Sequence, residues 1–266
     1  MKEQILSFLP PDFSWGQNLH YFDCIESTNT LAKTMAAQGA PHGTILIADR
    51  QTGGRGRLGR SFHSPGGTGI YMSVILRPQC APQDLMHLTC ASGLALCDAV
   101  EKCAGIRACV KWPNDLVVEK KKLAGILTEL GLDAATGSVS YAIVGIGINC
   151  CQSAEDFPPE IRDIATSVSM VTHRSVSRPQ LAAAMLEELY KMDQILLSEK
   201  KDLMKRYRKD CLTLGKTISV IQNDVTRRGK AVDIDDDGAL LVEFSPGNVE
   251  IVNSGEVSVR GLYGYL

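Results

Sequence analysis

"ACVKWPNDLVVEKKKLAGILTEL", residues 108–130, is followed after a seven-residue gap by "SVSYAIVGIGINC", residues 138–150. The apolar runs "ACVKW" and "LVV" flank nothing longer than the turn "PND", and a short lysine-rich hairpin leads into "KKLAGILTEL". Parallel strands need a crossover of about a dozen residues or more, and none fits here. These runs are therefore consecutive antiparallel strands, which sets the class as α+β.

Upstream, "LHYFDCI" (residues 19–25) and "TILIADR" (residues 44–50) read as strands. Between them Ser27 or Thr28 caps a short helix to about Gln38. Leu31 and Met35 share one face, and Gly39 stands where a C-terminal cap belongs. "GIYMSVILRP" is a strand ended by Pro78, and Pro82 to Lys102 reads as one longer, mostly buried helix carrying Leu85, Leu88, Leu94, Leu96 and Val100. Arg178 to Ser198 is amphipathic, with Ser177 as its cap and Leu181, Met185, Leu189, Met192 and Leu196 facing inward. The composition changes near Leu214. The runs "KTISVI", "GKAVDI", "ALLVEF", "VEIV" and "EVSVR" then alternate with the turn signals "QND", "DDDG", "SPGN" and "NSG". That spacing predicts a small antiparallel barrel of about fifty residues. The expected architecture is a mixed, largely antiparallel sheet packed with helices over residues 1–212, and the barrel over 213–266.

A formal net charge of -2 on 266 residues argues against a general nucleic-acid binder, which carries a basic excess. No apolar run approaches the roughly 18 residues that span a membrane. Glu3, Pro10 and Pro11 break up any signal-peptide core, so the expected compartment is the cytoplasm. None of the nine cysteines forms a C-x-x-C pair or stands at zinc-ligand spacing from a histidine. No zinc or redox cofactor is expected, and free thiols fit a reducing compartment.

Several segments carry chemistry. In "GGRGRLGR", residues 53–60, Arg55, Arg57 and Arg60 alternate with glycines just after a strand. Glycine lets backbone approach a ligand, and arginine presents a planar, permanently charged fork to carboxylate or phosphate. A solvated basic turn and a loop that closes on an anion both fit. The loop is neither a Walker A motif nor a Rossmann fingerprint. In "VKWPNDL", Lys111, Trp112, Asn114 and Asp115 bring a cation, a flat ring, an amide and a carboxylate to one strand end. That set suits a nucleotide and its magnesium, and equally a hairpin corner. Lys122 opens an apolar strand that Gly125 interrupts. Gly145 and Gly147 leave one face of "VGIGIN" bare, for a flat ligand or for tight packing. Ser27, Thr28 and Asn29 cap a helix N-terminus, where backbone N–H groups favour a polar or anionic partner.

In order and approximate spacing, "ESTN", "QTGGRGRLGRSFHSPGG", "YMS", "VKWPNDL", "KLAGIL" and "GIGIN" resemble the signatures of the biotin protein ligases, from about Phe22 to Asn149. "GEVSVR" in the C-terminal barrel resembles that family's small SH3-like domain. The resemblance implies a short-form ligase that converts biotin and ATP to biotinyl-5'-AMP and transfers biotin to a lysine of a biotin carboxyl carrier domain. It places Ser27, Thr28, Asn29 and Gln51 on the biotin ureido ring. Gly54, Arg55, Gly56 and Arg57 would lie over biotin and the adenylate phosphate, with Gly125, Gly145 and Gly147 beneath. Lys122 would contact both the carboxylate and the reacting phosphate, which makes Lys122 and Arg57 the expected catalytic pair. Arg60, Lys111, Asn114, Asp115 and Asn149 go with Arg55 and Arg57 to the nucleotide, and Asp115 to Mg2+. Phe62 stands where many members have tryptophan and is expected on the adenine side. Members that double as repressors carry an N-terminal DNA-binding domain. The first strand starts near Leu19, so the resemblance implies no such domain here and no operator binding.

The chemistry suits these residues. Biotin carboxylate and ATP repel each other, and Arg55, Arg57, Lys111 and Lys122 would offset that repulsion. The mixed anhydride they form is open to water, so the arginine loop would serve as clamp and lid. A lipoate or octanoate ligase on the same scaffold, or a non-catalytic nucleotide-binding adapter, are the competing readings. A sheet edge is compatible with a homodimer. No membrane or nucleic-acid partner is expected.

Overall fold

Seven strands form one sheet, side by side in the order Leu19–Ile25, Thr44–Gln51, Gly69–Leu76, Val139–Asn149, Lys121–Leu132, Asp115–Val118 and Cys109–Lys111. The computed structural model describes residues 1–223 and 225–253 in full, and 258–261 by their backbone. Helix α1 is Lys2–Phe8, strand β1 is Leu19–Ile25, α2 is Thr28–Ala37 and β2 is Thr44–Gln51. Then come β3 (Gly69–Leu76), α3 (Leu88–Ala104), β4 (Cys109–Lys111), β5 (Asp115–Val118), β6 (Lys121–Leu132) and β7 (Val139–Asn149). Three helices follow: α4 (Val168–Thr172), α5 (Arg178–Ile195) and α6 (Lys200–Asp210). Only β1 and β2 pair in parallel, with α2 as their crossover. The other ladders, including all of β4 to β7, are antiparallel, as the short connections require.

The local signals explain the helix ends. Ser27 caps α2 by accepting from Thr30 N, and Ser177 caps α5 by accepting from Gln180 N. Gly105, in the left-handed region at φ +68, closes α3. The stretch from Pro82 is not one helix: Pro82–Leu85 is a separate 3₁₀ turn, and α3 begins only at Leu88. The sequence reading missed α1, α4 and α6. In α6, Leu203, Met204 and Tyr207 form the buried stripe, but its other positions are nearly all charged, which hid the periodicity.

The period-2 alternation of the strands sends two sets of side chains to two different faces. Ile45, Ile47, Ile70, Met72, Val74, Val144, Ile146 and Ile148 join the main core with α3, α5 and α6. Leu46, Ile75 and Ile143 belong to a smaller cluster under α2, with Ala32 and Ala36. Helix α2 packs on the β2, β3 and β7 part of that second face. Beyond it the register aligns one row straight across the sheet: Tyr71, Gly147, Gly125, Asp115 and Lys111. A second row runs Ser73, Gly145, Leu127. These rows carry most of the motif residues found in the sequence.

The C-terminal unit is a five-stranded antiparallel sheet of β8 (Thr217–Gln222), β9 (Val225–Ile234), β10 (Leu240–Ser245), β11 (Asn248–Val252) and β12 (Ser258–Gly261). Its order is β11-β10-β9-β8-β12, so the last strand returns to the first, the ladder expected of a small barrel. Of the expected "NSG" turn and "EVSVR" strand, residues 254–257 lie outside the described residues. Among the described residues no helix is long and apolar enough to cross a membrane.

Candidate active site

The partly covered sheet face holds a cavity of about 470 Å³. Ser27, Thr28, Asn29, Gln51, Arg55, Gly56, Arg57, Arg60, Phe62, Lys111, Asn114, Asp115, Lys122, Gly125, Gly145 and Gly147 all line it. Of the residues singled out, Gly54 and Asn149 do not. A Cβ at Gly54 would strike the Phe62 carbonyl and the Ser64 hydroxyl, and Phe62 N donates to Gly54 O at 2.9 Å. Gly54 is therefore the tight closure of the loop hairpin. Asn149 is buried and donates to Thr166 O at 2.9 Å. It fastens the segment that runs beside Lys122, where Lys122 N donates to Ile164 O and Thr166 N donates to Lys122 O.

One end of the cavity is a closed hydrogen-bond network. Gln51 Oε1 accepts from both Thr28 N (2.8 Å) and Thr28 Oγ1 (3.1 Å), while Gln51 Nε2 donates to Ser64 Oγ. Ser73 Oγ lies 2.8 Å from Thr28 Oγ1 and 2.6 Å from Asn29 Oδ1. Asn29 Nδ2 donates to Leu127 O and to Glu129 Oε2, and Glu129 Oε1 takes Lys33 Nζ at 2.9 Å. Burial raises the Glu129 pKa, but the hydrogen bonds from Lys33 and Asn29 outweigh it and hold the carboxyl below its ordinary value. Ser73 falls within the motif "YMS", but the sequence reading gave it no role. Its signal was a small hydroxyl side chain in the otherwise largely apolar, wholly buried strand β3.

The two glycines of β7 do not leave a bare floor. A Cβ at Gly145 would collide with the Asn29 amide, and one at Gly147 with the Phe62 ring. Phe62 thus lies over the glycine row rather than apart from it, 6.4 Å from Tyr71 edge-on, with Lys122 Nζ 5.9 Å from its centroid.

At the other end stand the cations. Lys122 Nζ pairs with Asp115 at 2.6 Å, both partly buried. Arg57 Nη1 donates to Asn114 Oδ1 at 3.3 Å. Burial lowers the Arg57 pKa, Asp115 counters that, and Arg60 adds to it. The guanidinium stays a cation at any working pH. Asn114 Nδ2 donates to Ile126 O, which fixes the corner between β4 and β5 against β6. Desolvated, pre-positioned cations of this kind are suited to charge that builds up on phosphoryl or carboxyl oxygens. Among the described residues, no group of three His, Cys, Asp or Glu side chains is placed to hold a metal. Asp115 is a single carboxylate, which suits an ion brought in on a nucleotide's phosphates.

Residues 21–149 match the biotin/lipoate A/B protein ligase family, and residues 213–260 match the biotin protein ligase C-terminal domain. A bifunctional ligase/repressor BirA of Bacillus spizizenii is 39% identical over 244 residues, 90% of this chain and 73% of the relative. A biotin–[acetyl-CoA-carboxylase] ligase of Mycobacterium tuberculosis is 32% identical over 237 residues, 87% of this chain and 85% of the relative. The biotin protein ligase of Aquifex aeolicus, solved with biotin and ATP, superposes with a TM-score of 0.77 at 30% identity, over 92% of this chain and 99% of its own. The α+β fold matches that of the biotin protein ligases. The chain belongs to the biotin/lipoate A/B protein ligase family.

Proposed function

We propose that this protein is a biotin protein ligase that activates biotin with ATP to biotinyl-5'-AMP and transfers biotin to a lysine of a biotin carboxyl carrier domain. The observation that carries the reading is the position of Lys122. Its ammonium opens onto the same cavity as the hydrogen-bonded cluster of Ser27, Thr28, Asn29 and Gln51, and pairs there with Asp115. In the first step a biotin carboxylate oxygen bonds to the α-phosphorus, the bond to pyrophosphate breaks, and pyrophosphate leaves. Lys122 would exchange Asp115 for these oxygens, and Arg57 would neutralise the α-phosphoryl charge. In the second step the acceptor ε-amine bonds to the acyl carbon, AMP leaves, and the amine gives up a proton.

The polar end, Ser27, Thr28, Asn29 and Gln51 with Ser73 behind them, is assigned to the biotin ring. Its hydrogen-bonding side chains support biotin over an acyl chain, which needs a long apolar channel. Arg55, Arg57, Arg60, Lys111, Asn114 and Asp115 are assigned to the nucleotide. Magnesium is taken to enter with ATP as its counter-ion, held by Asp115 and neutralising pyrophosphate. Residues 1–212 act as the catalytic domain and 213–266 as the C-terminal domain. One incubation tests this: purified protein, ATP, magnesium, labelled biotin and a carrier domain. The expected result is label on one acceptor lysine. Transfer from lipoate alone would install the lipoate reading, and transfer from neither would make the protein an adapter.

A further inference from the structure

The two ends of the cavity are held by different parts of the chain. The hydrogen bonds at the proposed biotin end run among residues 27 to 129. The corner that carries Lys111, Asn114 and Asp115 is fastened from behind by residues beyond 200. Trp112 N donates to Thr213 Oγ1 at 3.0 Å. The Trp112 indole Nε1 donates to Gly238 O at 2.8 Å. Tyr207 donates its hydroxyl to Pro113 O at 3.3 Å. Trp112 is 1% exposed, so each of these donors is satisfied in a dry setting, where a lost partner costs most.

Gly238 lies in the turn between β9 and β10, and that turn is itself built to be rigid. Asp235 Oδ1 accepts from Asp237 N (2.9 Å) and Ala239 N (2.8 Å). Arg208 of α6 holds Asp236 and the Ile234 carbonyl, and Lys200 pairs with Asp237. Gly238 has φ +85, and a Cβ on it would lie 3.0 Å from Cys90 Sγ of α3. Only glycine presents its carbonyl to the indole there without strain.

We infer that Thr213 and Gly238 are positioning residues for the nucleotide half of the reaction: through Trp112 they set the strand corner that offers Lys111, Asn114 and Asp115 to the nucleotide. The C-terminal sheet thereby acts on adenylation and leaves biotin capture alone. This rests on the assignment of the nucleotide to that corner. Neither Thr213 nor Gly238 lines the cavity, so they act through Trp112, which does.

The test is Thr213→Val, close in shape but without the acceptor, beside Thr213→Ser, which restores it. Calorimetry reads biotin binding, and steady-state adenylation reads KM for ATP. Thr213→Val is expected to raise KM for ATP about tenfold. Biotin affinity should stay within about twofold of wild type, and Thr213→Ser should return KM to near wild type. Should Thr213→Val fail to fold, Asp235→Ala loosens the turn that carries Gly238, the other anchor of Trp112, and is read in the same way. Parallel loss of biotin and ATP affinity, or no change in either, overturns the inference while wild-type adenylation stands. A wild type that forms no biotinyl-5'-AMP overturns the functional reading and this inference with it.

Discussion

The Lys122 ammonium pairs with Asp115 at 2.6 Å in the cavity wall. Removing it takes one partner from Asp115 and one cation from the reacting oxygens. Lys122→Ala should slow adenylate formation by about 10²–10³, or ~3 kcal/mol, in single-turnover assays. A drop of less than about tenfold would move the role elsewhere. Gly145 makes a different kind of residue-scale claim. Its missing side chain is the space occupied by the Asn29 amide, which Ser73 and Glu129 hold from two sides. Gly145→Ala would force that network apart, so it should lower stability by about 1–3 kcal/mol and weaken biotin binding as well. Thermal unfolding and calorimetry read the two effects. The motif "GIGIN" made these glycines visible in the sequence, but not what fills the space above them.

At the scale of elements, the arginine loop is a small hairpin rather than a free strap. Gly56 N donates to Arg60 O, Phe62 N donates to Gly54 O, and Arg57 reaches Asn114 across the cavity. If it acts as a lid, Arg57→Ala should shorten the lifetime of bound adenylate and spread label to bystander lysines. Wild-type retention in the variant would refute the lid. Helix α2 is tied to β6 by the Lys33–Glu129–Asn29 triad. The Glu129 pKa is held below its ordinary 4.5, so the folded state favours the ionised form. The stability this adds is fully present above 4.5 and is lost as pH falls through the lowered value. Thermal melts across that acid range should show a shallower loss for Glu129→Gln than for wild type.

Across the whole molecule, the acidic turn between β9 and β10 ties the C-terminal sheet to Trp112 and to α6. Arg208 pairs with Asp236 at 2.6 Å on a partly exposed surface. After discount for solvent, Arg208→Ala should weaken that docking by about 1 kcal/mol. Hydrogen exchange should then rise first in the turn between β9 and β10, with β3 and β7 unchanged. The basic residues of α6 drew no reading from the sequence alone. Their partners lie about 30 residues on, in "DDDG", which read only as a turn.

By itself the sequence determined the strands, the antiparallel group from residue 108 onward, the two-part layout and most of the cavity-lining residues. These are local properties: strand period, turn chemistry and connection length are written in neighbouring residues. Only the tertiary structure decided that Asn29 and Phe62 fill the glycine face, and that Gly54 and Asn149 brace the site from outside its wall. It also tied Trp112 to Gly238, 126 residues away. Contacts of that kind depend on which side chains the sheet register brings face to face, and no local pattern in the chain encodes that.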